Sequence, residues 1–457
     1  MKKILSVIIV AALTLALCMS AVGCKSTTGD TDNSSNDYAD AIPGGSADVS
    51  AETLEALANS GEVSIYRFEG GGTTPSGGSL EEDEEFKKYF DSVYGGNLVY
   101  HTVVWSDWEN KFISEFAAGD APDVVYLFSQ NWPRAGSRGL VYSKADLEKL
   151  GVQALDHPVI ANSAELAERN FQYNGNVFGL DVFLVTPNVM LVNDTLIKDC
   201  GIDKTPKQLY EAGQWNWDSF MDIMAKVCSV DKDADGQADY RGYNGWDATY
   251  VMSANAGYLI TEKDGKFQSN TTDIKVINGL QMYNDLSLNG YMRERGDFKE
   301  GKTATFVETH YNVAKKINNE GSGLGFNWSV VPYPLGPDNT EGNQVGGCEA
   351  YAIVSSTDNP QGALNLIIAK NAFEASYTEL DPTYDLEYWL DDEGDQMLSD
   401  IRLKVKQKLW AGVGNIWGGQ WDFWNAVRST SSVTEVLSTY DSWLRAQCET
   451  ENAYATQ

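Results

Sequence analysis

Carboxylates crowd one short stretch of the chain, Asp231-Lys232-Asp233-Ala234-Asp235-Gly236-Gln237-Ala238-Asp239. Acids at the first, third, fifth and ninth places, with glycine at the sixth for a sharp turn, give hard oxygen ligands at the spacing of a calcium loop. Asp231, Asp233, Asp235, Gln237 and Asp239 are the expected ligand set, yet Gly242 stands at the twelfth place, where such loops carry a bidentate glutamate. The stretch therefore reads as a weak structural Ca2+ loop, as one that recruits an acid from elsewhere, or as an Asx turn without an ion. No other cofactor is required. Three histidines (His101, His157, His310) and the lack of a G-x-S-x-G elbow argue against a Ser/His hydrolase. Cys200, Cys228, Cys348 and Cys448 are widely spaced without a CxxC pair, which argues against a thiolate metal site; two disulfides and free buried thiols are both open.

Aromatic rings form the second group. Thirteen Trp and 23 Tyr are enough to fill cores and still leave rings for stacking on a ligand, and sugars are the usual partner of exposed rings. The formal charge of −31 excludes nucleic acid as a partner, because a polyanion needs a positive surface.

The elements that position these groups alternate. Val63 to Phe68 reads as a strand, Glu81 to Tyr94 as an amphipathic helix, Leu98 to Val104 as a strand, Ser106 to Ala118 as a helix and Val124 to Phe128 as a buried strand. Such alternation implies an α/β fold with a largely parallel sheet, whose ligands bind at the carboxyl ends of strands. Those ends carry Glu69 onward, Trp105 and the run Ser129, Gln130, Asn131, Trp132. Val177 to Val192, interrupted by Pro187, reads as a pair of extended crossing segments rather than one strand. Helices follow near Trp217 to Val227, Asp273 to Asn289 and Asn312 to Asn319, then a strand into the Pro turn Val330 to Pro337. A strand from Ala350, a helix from Asn359 and a helical terminus from Trp421 to Cys448 complete the chain.

The start of the chain resembles a bacterial lipoprotein export signal. Lys2 and Lys3 precede an apolar run from Ile4 to Leu17, then Ala21-Val22-Gly23-Cys24 and a Ser/Thr/Asp/Gly tract. That implies a signal peptide over 1–23, lipid (palmitate) on Cys24 and a flexible tether over 24–60. Ala21 stands where such signals usually have Leu, and an ordinary N-terminal anchor helix is the alternative.

From about residue 61 onward the order of landmarks is similar to the family 1 extracellular solute-binding proteins of ATP-driven importers, the group that includes maltodextrin-binding proteins. The landmarks are Ala118-Gly119-Asp120-Ala121-Pro122-Asp123, Leu191-Val192-Asn193-Asp194, Trp215-Asn216-Trp217-Asp218-Ser219-Phe220, Val331-Pro332-Tyr333-Pro334, Gly346-Gly347-Cys348-Glu349-Ala350 and Phe423-Trp424-Asn425. The resemblance implies the two-lobe type II periplasmic-binding-protein fold, with crossing hinge segments and a ligand cleft between the lobes. Lobe 1 takes 61–180 and returns over 346–410, lobe 2 takes 181–345, and C-terminal helices over 411–457 close onto lobe 2. It also implies a monomer, tethered to the membrane, that delivers a carbohydrate to the permease subunits of an ABC importer without chemistry on it.

On the family's pattern, Glu69, Gln130 and Asn131 match polar contacts from the loops after the first and third strands. Trp105 and Trp132 are stacking candidates, and Phe183, Thr186 and Asn188 border the cleft from the crossover. Trp246 with Asp247, His310 with Tyr311, Glu349, Trp417, Trp421 and Trp424 complete the candidates. Tyr311 stands where the family usually carries a Trp platform, and Asp181 where it more often has Pro. Core packing is the rival for each ring, and solvated loops for each polar group. Two other functions stay open: an extracellular glycosidase or lyase working through a carboxylate pair, and a surface sugar receptor feeding a sensor.

Overall fold

The computed structural model describes residues 51–74, 78–245, 247–292, 298–309, 312–314, 324–380, 392–407, 413, 416 and 419–454. The expected signal peptide, Cys24 and the tether to residue 50 lie outside them. Regular structure begins inside the stretch expected as tether, before residue 61. Ala51–Leu57 is a helix, Leu57 is fully buried, and Asn365 donates from Nδ2 to the Ala56 and Leu57 carbonyls and to Ser60 Oγ. Leucines at 54 and 57 give this stretch an apolar face, which its polar composition hides. No helix among the described residues is long and apolar enough to cross a membrane.

The strands, in chain order, are β1 (Gly61–Phe68), β2 (Gly96–Val103), β3 (Val124–Leu127), β4 (Gln172–Tyr173), β5 (Asn176–Val177), β6 (Asp181–Asn193), β7 (Arg241–Asn244), β8 (Ile260–Lys263), β9 (Lys266–Ser269), β10 (Thr303–Thr309), β11 (Trp328–Pro332), β12 (Gln344–Ile353) and β13 (Val405–Lys406). One sheet runs β2-β1-β3-β12-β6-β10-β7, with β11 also on β6 and β13 on β12; β4–β5 and β8–β9 are hairpins. β1 is parallel to β2 and β3, as βαβ units require. Local signals set the helices between. Ser79 caps Leu80–Val93, whose first turn holds Glu81, Glu82 and Asp83 where the helix dipole favours acids. Asn216 and Ser219 form a reciprocal capping box on Trp217–Val227.

β6 and β12 join the two halves. β6 pairs with β12 over Asp181–Pro187, then with β10 and β11 from Asn188 to Asn193. The expected pair of segments is thus one 13-residue strand. Pro187 is tolerated inside it because it sits where the strand changes partners, so its missing N–H falls at an interruption of the ladder. Opposite it, Gly346 allows the strands to meet, since a Cβ there would stand 2.7 Å from the Thr186 carbonyl oxygen. β6 is buried on both faces in lobe 2. Met190 and Val192 enter the largest core, whereas Val189 and Leu191 enter a second with Phe298 and Met397.

The C-terminal helices Gln420–Ser429 and Val433–Tyr454 pack onto lobe 2: Asn284 Nδ2 donates to the Val427 and Thr430 carbonyls, and Asn452 exchanges hydrogen bonds with the Phe267 backbone. They also reach lobe 1. Glu451, fully buried, accepts from Arg138 Nε and NH2 at 2.8 Å each and from Ser137 Oγ at 3.0 Å, while the Tyr454 ring covers the guanidinium. Removing one member strands the other charge. Glu451→Ala is expected to cost about 3–5 kcal/mol in urea unfolding; a loss below about 1 kcal/mol would mean that the pair contributes little.

Candidate functional site

The register of the crossing strands builds a floor between the lobes. Gly347 faces Thr186 and Glu349 faces Leu184, so Thr186 and Asn188 of β6 share a face with Val345, Gly347 and Glu349 of β12. A cavity opens over this floor, with about 210 Å3 of room for water centres. Phe128, Ser129 and Gln130, after β3, supply the lobe 1 wall. Thr249, Tyr250 and Ser253 of the helix Ala248–Ala254, with Thr309 at the end of β10, supply the lobe 2 wall, and Lys406 of β13 completes the lining. Gly347 keeps the floor low: a Cβ there would meet Thr186 Oγ1 at 3.0 Å.

Two buried polar atoms in this lining have no hydrogen-bond partner, Asn188 Nδ2 and Glu349 Oε2. Burial pushes the Glu349 carboxyl up to about 7, and a hydrogen bond with the Tyr126 hydroxyl offsets only part of that rise. The Tyr126 ring stacks on Phe128 at 5.2 Å and 12°. Trp105, 44 % exposed, lies 5.4 Å from Phe128 and thus extends the aromatic surface beside the cavity without lining it.

Of the expected ligand residues, Gln130, Thr186, Asn188 and Glu349 line the cavity together. Glu69 is exposed at the end of β1 and does not line it. Five expectations are corrected. Asn131 is buried and staples its own loop, accepting from the Phe128 N–H and donating to the Tyr126 carbonyl. Trp132 begins the helix Trp132–Ser137, which turns its ring into the core against Phe171. Phe183 has the other strand parity from Thr186 and stacks on Tyr351 at 4.4 Å. Asp247 caps the helix Ala248–Ala254 by accepting from the Thr249 N–H and hydroxyl. Trp424 is buried beside Phe423, the core reading of its helical spacing, while Trp421 is exposed on the same helix and lines no part of the cavity. Trp246, His310, Tyr311 and Trp417 lie outside the described residues.

The cavity also contains Ser129, at the strand end where ligands are expected, and Thr249, Tyr250, Ser253, Thr309 and Lys406, which sequence reasoning missed. Thr249 and Ser253 had a signal in principle, since they share a face of the helix that Asp247 caps. Lys406 had none, because only the two-residue strand β13 brings it to the floor.

The Asp231 loop lies apart from this lining. It gathers carboxylate oxygens of Asp231, Asp233 and Asp235 within 4.8 Å of one another, all exposed. Asp239 instead accepts from the Lys232 N–H, and Gln237 gives its backbone N–H to Asp235. Three of the five expected groups thus converge. All four cysteines from Cys200 onward are free thiols, and burial holds Cys348 up to about 12.

A family model, described as bacterial extracellular solute-binding protein, matches residues 77–370. The chain belongs to this family. Among solved structures it is similar to the sugar-binding protein MalE of Xanthomonas citri, with TM-score 0.63 and 15 % identity over 87 % of this chain and 99 % of that one. An extracellular solute-binding protein of Staphylococcus aureus in complex with maltose follows at TM-score 0.60 and 13 % identity, over 85 % and 98 %. A cyclo/maltodextrin-binding protein complexed with maltotetraose gives TM-score 0.59 and 14 % identity, over 85 % and 97 %. The fold is thus the two-lobe binding-protein fold. No curated protein matches the chain.

The floor carries a pH signature. Burial also holds Asp181, which accepts from Ser163 and Asn371, up to about 7. An acid whose pKa is higher folded than unfolded favours the native state below its unfolded pKa near 4, and that advantage is lost as pH rises toward 7. The urea midpoint is expected to fall between pH 5 and 8, and a Glu349→Gln, Asp181→Asn double variant to flatten the slope. An unchanged slope in that variant would remove these two groups as its source.

Proposed function

We propose that this family member is a lipid-anchored extracytoplasmic receptor that captures a carbohydrate, an oligosaccharide, between its lobes and hands it to an ABC importer permease. It works as a monomer and leaves the ligand unchanged. The observation that carries this reading is the floor built by β6 and β12, where Asn188 Nδ2 and Glu349 Oε2 are buried without partners next to the Phe128 aromatic cluster. Buried polar atoms without partners cost free energy, so a ligand bearing both donors and acceptors recovers what the chain's own groups do not supply. Sugars present such groups on a ring whose face suits stacking.

The placement of the cavity supports delivery rather than turnover. Its walls come from both lobes and its floor from the two connecting strands, so a ligand touching both walls favours the closed arrangement. A glycosidase needs a carboxylate pair, and Glu349 is the one carboxylate among the described lining residues. The neighbours named above as sugar-binding or maltose-bound fit the same reading.

Calorimetry of the mature chain against an oligosaccharide panel, with chromatography of the mixtures, tests it. One saccharide class binding without products is expected, and Asn188→Ala should weaken that binding about tenfold, the cost of one buried hydrogen bond to the ligand, at unchanged Tm. Cleavage products would overturn the reading in favour of an enzyme. For the anchor, Cys24→Ser is expected to move the protein from the membrane fraction to the medium and to abolish palmitate labelling.

A further inference from the structure

Among the described residues, Glu349 is the one carboxylate lining the cavity, and it makes no ion pair. Lys406, the one base in the described lining, has its ammonium 5.6 Å from the centre of the Tyr258 ring. Among the described residues, burial and the Tyr126 hydroxyl are what act on the Glu349 carboxyl. A buried carboxylate oxygen with neither partner nor counter-ion is costly unless something arrives to meet it.

What arrives is constrained by the surroundings. Ser129, Gln130 and Thr186 already offer neutral hydrogen-bonding groups for hydroxyls. Glu349 adds something they lack, a carboxyl group that can ionise, beside a stacked pair of aromatic rings, Tyr126 and Phe128. Ring faces carry negative potential, so carboxylate and rings attract the same thing, a cation of modest size. At the other end of the floor, about 13 Å away along the strand, Asn188 offers an amide N–H to an oxygen. The chain's surplus of acid, 65 Asp and Glu against 34 Lys and Arg, raises the local concentration of cations further.

We propose that Glu349 makes this cleft selective for a solute bearing a protonated amine at the Tyr126–Phe128 end and an oxygen acceptor at the Asn188 end. Resting on the carbohydrate reading above, the ligand class is an amino sugar or an oligosaccharide containing one. The ammonium donates to Glu349 Oε2 and fixes the ligand's direction in the cleft. Because a carboxyl titrating near neutrality must be ionised to receive an ammonium, binding at pH 7 releases a proton from part of the population.

The test uses matched sets that differ at one substituent: glucosamine, N-acetylglucosamine and glucose, the galactose counterparts, and oligomers of each. Calorimetry of the mature chain at pH 7, in buffers of different ionisation enthalpy, reads affinity and proton release together. In the set that binds, the free-amine member is expected to bind at least tenfold tighter than its acetylated and hydroxyl counterparts, with proton release. Glu349→Gln should bring the amine member down to its neutral counterparts and abolish the release, whereas Asn188→Ala should weaken all members of the set alike. Thermal melts establish that both variants fold. Neutral members binding as tightly as the amine, or a preference that survives Glu349→Gln, would overturn the inference while leaving a sugar receptor in place. Failure of every sugar to bind would overturn both.

Discussion

The antiparallel pairing of β6 with β12 is the constraint on which the rest depends. β6 runs from one lobe into the other and β12 ties it to β3, so the register that sets Thr186 against Gly347 fixes at once the sheet of lobe 1, the start of the sheet of lobe 2 and the floor between them. A slip of β6 by one residue would turn Thr186 and Asn188 off the floor and put Val185 and Pro187 in their place. The glycines at 346 and 347 make the pairing possible in different ways. One removes a clash with the Thr186 carbonyl, and the other leaves space above the floor.

That arrangement leaves two buried polar atoms without partners on one cavity, Asn188 Nδ2 and Glu349 Oε2. Elsewhere, buried amides are spent on the fold: Asn131 staples a loop, Asn365 holds the helix Ala51–Leu57, and Asn284 ties the terminal helices to lobe 2. Asn188 is as buried as these yet leaves its nitrogen without an acceptor, and Glu349 is held near neutrality's edge by burial. Gln344, Gln407 and Gln420 also leave a buried amide oxygen without a partner, but none of the three lines the cavity, and what sets Asn188 and Glu349 apart is that they face it together.

How far the sequence revealed this follows from the range of the forces involved. Trp217–Val227 is legible to the residue because its capping box is local. The alternating elements of lobe 1 are legible because periodicity is local too. The site is less so. Gln130, Asn131 and Trp132 are neighbours with one composition-level expectation, and only the start of a helix at Trp132 sends the three to cavity, loop and core. Parity along β6 would have excluded Phe183 once Thr186 was accepted, and that signal was present but unused. Lys406 and Tyr250 had to arrive from remote segments, and no local pattern announces a tertiary neighbour.

The cleft wall and the Arg138–Glu451 pair are two ends of one piece. Phe128, Ser129 and Gln130 lead directly into the helix Trp132–Ser137, about 9 Å long, and the residues that end it, Ser137 and Arg138, are held by Glu451. Any rotation of lobe 1 about β6 and β12 that moves the wall must therefore act on that pair. A bidentate contact to a fully buried carboxylate does not stretch gradually; it is kept or lost. The terminal helix is itself fastened to lobe 2 through Asn452 and Asp441, so the pair ties one lobe to the other. The ligand proposed for the floor and the ion pair at the helix end would thus act on the same lobe contact, and the free energy of holding the lobes together would be shared between them.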